Sequence, residues 1–135
     1  MPHSLVTDGD ALLAGFEDGT LPVEAFHHAQ HVQVAWMFVA RHGMPGALGA
    51  FSSALQRFAI AKGVPNLYHE TITWAYLLLI ADRQARAPVA TWEEFRARNA
   101  DLLTWKPSVL DDLYTPETLW SDLAKRVFLM PDRRA

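Results

Sequence analysis

Cysteine is absent from the 135-residue chain. Its absence excludes disulfides, thiolate nucleophiles and Cys-ligated zinc or iron–sulfur centres, so any metal would have to be held by nitrogen and oxygen ligands. Long apolar runs are missing as well. The longest, AYLLLIA at 75–81, is far short of the ~20 residues that cross a bilayer, and no membrane partner is expected. Basic charge is scarce, with 12 Lys and Arg against 15 Asp and Glu and a net charge of -3. A nucleic-acid partner, which calls for a basic face or stripe, is therefore not expected either. The opening MPHSLVTDGD has neither the basic start nor the apolar run of a secretory signal, which makes a cytoplasmic location the expectation. No Ser nucleophile motif and no Gly-rich phosphate loop occurs, and no segment alternates as a strand would.

What remains is apolar and helical. Half of the residues are hydrophobic and five are Trp, enough to build one core in a chain of this length. Thr7 and Asp8 are candidate caps for a first helix ending near Phe16, before the turn residues EDGT. Pro22 suits the first turn of a second helix running through FHHAQHVQVAWMFVARHG, with Gly43 as its stop. Pro45 opens a third, in which Leu48, Phe51, Leu55 and Phe58 recur at helical spacing until Gly63 and Pro65. Asn66 can cap a fourth, HETITWAYLLLIADRQAR, whose last turn carries Arg83 and Arg86. Thr91 and Glu94 form a capping box for a fifth. Ser108 and Asp111 suggest a single turn, and Thr115 with Pro116 starts a last helix through LWSDLAKRVF. The expectation is an all-α fold: a single-domain bundle of five or six helices over residues 1–135, with the two apolar helices, second and fourth, at its centre and short flexible tails at about 1–6 and 131–135.

The histidines carry the chemical signal, since three of the six fall in FHHAQH at 26–31. On a helix, His28 and His31 lie about 60° apart around the axis and His27 and His31 about 40°, so either pair can aim two imidazoles at one point. His69 in YHETIT offers a third nitrogen at the start of the other central helix. The positive end of that helix favours a neutral ring. If the two helices run roughly parallel, their N-terminal halves meet at one end of the bundle. His42, just before Gly43, suits a helix C-terminus, and His3 lies in the N-terminal tail. A lone histidine on an apolar helix is usually a hydrogen-bonded core or rim residue, an acidic first-turn residue such as Glu70 usually serves the helix dipole, and the five Trp residues read first as core. Arg133 and Arg134 read as a solvated end.

The pattern of Phe26, His28 and His31, followed by YHETIT at 68–73, LYTPETLWSD and a closing FLMPD, resembles a family of short, uncharacterised bacterial all-helical proteins. The likeness spans residues from about 26 to 132. It implies His28, His31 and His69 as a shared set and supplies no activity. The family often has Asp before its second histidine; Gln30 stands there in this chain, so no orienting carboxylate is implied next to His31.

Two readings of different class follow. In the first, His28, His31 and His69 hold a divalent transition metal (Zn, Cu, Fe or Ni) in a mononuclear site that acts on a small molecule, with Glu70 and Tyr68 as catalytic groups and His27 in support. In the second, the chain is a non-catalytic helical protein that binds a small ligand or a partner, and its histidines form a hydrogen-bonded polar cluster. Haem bound by one of the histidines is a third possibility, visible as a Soret band. Paired Glu-x-x-His motifs for a di-iron site are absent, and an apolar helix could equally serve a homo-oligomer interface.

Overall fold

A computed structural model describes residues 4–133, and His3 and Arg134 lie outside them. Among the described residues the fold is all-helical, with seven α-helices rather than five or six: α1 (Ser4–Asp18), α2 (His28–His42), α3 (Gly46–Ala61), α4 (Glu70–Arg86), α5 (Trp92–Arg98), α6 (Pro116–Leu119) and α7 (Asp122–Arg126). Four 3₁₀ turns, at Val23–Ala25, Pro65–Leu67, Ala100–Leu103 and Val109–Asp112, connect them. No described helix is long and apolar enough to cross a membrane.

Helix ends follow local chemistry. The Thr91–Glu94 box opens α5, with the Glu94 amide donating to Thr91 Oγ1 at 3.2 Å and the Thr91 amide to Glu94 Oε1 at 3.2 Å. Gly43 (φ 67°) and Gly63 (φ 74°) adopt the left-handed backbone that stops α2 and α3. At α1 the start differs: the helix is already formed at Ser4, ahead of Thr7 and Asp8.

Two expected helices are broken, and each break builds part of the site described below. The second helix does not run from Pro22. A 3₁₀ turn intervenes, Phe26 turns into the core, and α2 begins at His28 with His27 extended at its N-cap. The last helix splits because Ser121 acts as a second N-cap, its Oγ accepting from the Ala124 amide at 3.1 Å while donating to the Thr118 carbonyl at 2.7 Å. Trp120 is left at the break, 59% exposed.

The core is a layer of side chains between α2, α3 and α4, which pack against one another, closed by α1 on one side and α5 and α7 on others. Its aromatic hub is Phe16, whose ring lies 5.0 Å from Phe26, 5.3 Å from Phe58 and 5.8 Å from Phe51. Tyr114, Leu77 and Ile80 are also fully buried. The buried Thr71 hydroxyl donates to the Val127 carbonyl at 2.8 Å and accepts from the Leu129 amide at 3.1 Å, tying the chain after α7 to α4.

The C-terminal segment is fastened as far as residue 133, although a loose tail is expected there. Asp132 accepts from the Thr115 amide (2.9 Å) and from the hydroxyls of Thr115 (2.8 Å) and Thr118 (2.7 Å), and Arg133 donates to the Asp111 carbonyl at 2.6 Å. The Thr118 hydroxyl, with the Thr115 groups, holds the Asp132 carboxyl below its ordinary 3.8. A depressed carboxyl stabilises the fold above its unfolded pKa and loses that contribution as pH falls through the folded value. Asp132→Asn should therefore speed amide hydrogen exchange at Thr115 and Arg133 at neutral pH. Measured against the intrinsic rate, protection at these amides should fall in the parent as the Asp132 carboxyl takes up its proton, and the variant should lack that dependence.

Candidate functional site

The turn before α2 does three things at once. Phe26 is buried against Phe16 and Phe58, His27 is left exposed at the N-cap, and His28 and His31 fall on the helix face that looks toward α4 and the 3₁₀ turn at 100–103. Gln30 Oε1 accepts from the His27 amide at 3.0 Å, so Gln30 serves the helix start. Of the two sequence pairings, His28 with His31 faces the cavity and His27 does not.

His69 is the N-cap of α4. It lines the same cavity as His28 and His31, a space of about 670 Å³ at the end of the bundle where α2 and α4 begin. Leu55 and Ile72 form its apolar inner wall, Trp105 and Trp120 its outer one, and Lys125 and Asp122 stand among its lining residues. A smaller recess of about 60 Å³ behind it is lined by His28, His31, Thr73 and Tyr76 among apolar neighbours.

Each imidazole has a defined role. His28 Nε2 lies 2.9 Å from the Leu102 carbonyl oxygen, which only accepts, so Nε2 carries the proton and donates. His69 Nε2 donates likewise to the Leu119 carbonyl at 2.8 Å, while its Nδ1 accepts from the Ile72 amide at 3.1 Å. His69 is thus fully engaged as a neutral ring. The His31 ring stacks on Phe26 with centroids 3.9 Å apart. Burial holds all three below the ordinary histidine value: His28 and His69 against the pull of their carbonyl partners, and His31 down to about 4, with the neighbouring His28 adding to the effect.

Aromatic rings join the two sides of the cavity. Trp105 lies 5.1 Å from His28, Trp120 lies 5.8 Å edge-on to His69, and the two indoles meet at 6.3 Å and 90°. These residues, together with Ser121 and Lys125, are absent from the set read in the sequence. No local signal places Trp120 at the cavity, because Ser121 reads as a helix residue until its hydroxyl caps α7 and leaves Trp120 outside a continuous helix.

Glu70 and Tyr68 sit elsewhere. The Tyr68 hydroxyl donates to Glu70 Oε1 at 2.5 Å, and both line a neighbouring surface concavity of about 550 Å³ with Gln56, Ile60 and Arg126. Burial and the Glu70 carboxylate push the Tyr68 hydroxyl up to about 12, so it keeps its proton at neutral pH. Asn66, Asp122 and Lys125 are common to the two spaces. His42 is at the far end of α2, 5.5 Å from Phe38. Among the described residues, no group of three or more His, Asp or Glu side chains is arranged to hold a metal ion.

Comparison with models of protein families, with curated proteins and with solved structures gave no match.

Proposed function

We propose that the chain is a small-molecule-binding protein whose ligand enters the histidine-lined cavity between the starts of α2 and α4. The supporting observation is that three separately anchored neutral imidazoles and two indoles surround one space of about 670 Å³. That size and lining, mostly apolar with a few convergent polar groups, fall within the usual range for organic ligand sites, about 300–1,000 Å³. His28 and His69 are held by backbone carbonyls, so they are oriented before any ligand arrives, which lowers the ordering cost of binding.

A zinc, copper, iron or nickel ion on His28, His31 and His69 is the competing reading. It would require His69 to give up the Ile72 amide or the Leu119 carbonyl, since both of its nitrogens are occupied. Breaking the first would also leave an amide in the opening turn of α4 without its cap.

Protein-observed NMR separates the two readings. A library of uncharged aromatic fragments should shift the Leu55 and Ile72 methyls saturably, and Ile72→Trp, which fills the cavity, should abolish the shifts at Leu55. Stoichiometric metal in protein purified without an affinity tag, lost on His31→Ala, would replace this reading with the metal one.

A further inference from the structure

Which ligand the cavity suits follows from the hydrogen-bonding capacity left over in its walls. Of the three histidines, His69 has nothing left to offer, because Nε2 donates and Nδ1 accepts, and His31 has one ring face taken up by its stack on Phe26. His28 differs. Its Nε2 proton goes to the Leu102 carbonyl, the ring is neutral, and its Nδ1 therefore carries a lone pair to which no described group donates. An acceptor on a cavity-lining residue that lacks a donor is costly to bury beside an apolar molecule and favourable to pair with an O–H or N–H group.

The walls limit the rest of the molecule. Trp105 stands against His28 and meets Trp120 at a right angle, giving a flat face and an edge of the kind aromatic rings pack against. Leu55 and Ile72 close the opposite side. The charged lining residues, Asp122 and Lys125, are opposite in sign, so the cavity has no net charge to offset the desolvation of an ionised ligand. The volume exceeds what one small ring would fill.

Resting on the binding reading above, we propose that the cavity takes an uncharged, planar aromatic molecule of at least two fused rings carrying one hydroxyl or ring N–H donor. The donor bonds to His28 Nδ1 and the ring plane packs on Trp105. The recess of about 60 Å³ behind His28 and His31 accommodates a small substituent.

The test uses three probes of similar shape on the full chain: 2-naphthol, 2-methoxynaphthalene and 2-naphthoate. Binding is followed by Trp fluorescence and by the ¹⁵N shifts of the His28 ring. The expected result is that 2-naphthol binds about tenfold more tightly than 2-methoxynaphthalene, the effect of one hydrogen bond to a buried acceptor. Its addition should move the His28 Nδ1 resonance while Nε2 stays protonated. His28→Phe should bring the two neutral probes to equal affinity. Should that variant fail to fold, the affinity ratio and the ¹⁵N shift in the parent protein still decide the matter.

Equal binding of the two neutral probes to the parent, with Leu55 and Ile72 shifted, overturns the donor assignment and leaves the binding site standing. Preferred binding of 2-naphthoate, lost on Lys125→Ala, overturns the uncharged class in favour of an anion held at the mouth. Absence of any probe from the cavity overturns both the ligand class and the binding reading.

Discussion

Phe16→Ala will cost about 3–5 kcal/mol of folding stability, the range for truncating a fully buried aromatic residue in a core that cannot close the gap. Phe16 is 1% exposed, and its ring stacks or tilts against those of Phe26, Phe51 and Phe58 while meeting Phe38 edge-on. Four neighbours from three other segments lose contact at once, so little local collapse is available to fill the void. Against a typical domain stability of about 5–15 kcal/mol the loss is severe. The measurement is urea unfolding of parent and variant at neutral pH. An unfolding midpoint within error of the parent would mean that the phenylalanine cluster is not the packed hub described above.

The same substitution should reach the site, because Phe26 links Phe16 to His31 by stacking on both. Phe26 is the reason the chain leaves helical geometry before His28, and the hub is what holds Phe26 in. Loosening it lets the turn at 23–27 relax, and the ring of His31 loses the surface it lies on. Phe16→Ala should therefore broaden the His31 ring resonances more than those of His69, whose two hydrogen bonds run to Ile72 and Leu119 and involve no part of the hub.

Periodicity and capping residues made the helical class and most helix ends legible. The Thr91–Glu94 box, the Gly43 stop and the Ser108–Asp111 turn act through neighbours in sequence, and such interactions are written where they operate. Three decisions were not legible in this way. Pro22 is compatible with a helix start, but burial of Phe26 on Phe16 outweighs continuation of the helix. Ser121 reads as an ordinary helix residue in LWSDLAKRVF until its hydroxyl takes up a cap. Asp132 looks like part of a loose end, yet its partners Thr115 and Thr118 lie 17 and 14 residues earlier.

The site divides in the same way. That His28, His31 and His69 surround one space was suggested by their positions at the starts of two helices. That His69 has no free nitrogen depends on the Leu119 carbonyl, 50 residues further along the chain, and no spacing rule discloses it. Trp105 and Trp120 were hidden by their type, since an indole in an apolar helical sequence is core by default. Tyr68 and Glu70 adjoin His69 in sequence but face a different concavity, because a cap residue and the residues on either side of it point in different directions as the chain enters a helix.

His31 makes the protein acid-sensitive in a defined window. Its ring is packed on Phe26, and burial, with the charge of neighbouring His28 adding to it, lowers its pKa from 6.5 to about 4. A histidine depressed in the folded state binds protons more readily when unfolded. Its contribution is complete above pH 6.5 and drains away as pH falls toward 4. A shift of this size corresponds to about 3 kcal/mol, lost at up to about 1.4 kcal/mol per pH unit. His28 and His69 are shifted the same way and add to the slope. Urea unfolding of the parent between pH 8 and pH 4 should show this decline, and His31→Leu, which keeps an apolar surface against Phe26, should flatten it. Parallel curves for the two proteins would mean that the His31 ring is open to protons in the folded state. Protonation of His28 should act on the proposed ligand in the same direction: a second proton on the ring turns Nδ1 from an acceptor into a donor, and a ligand N–H group then has no acceptor there.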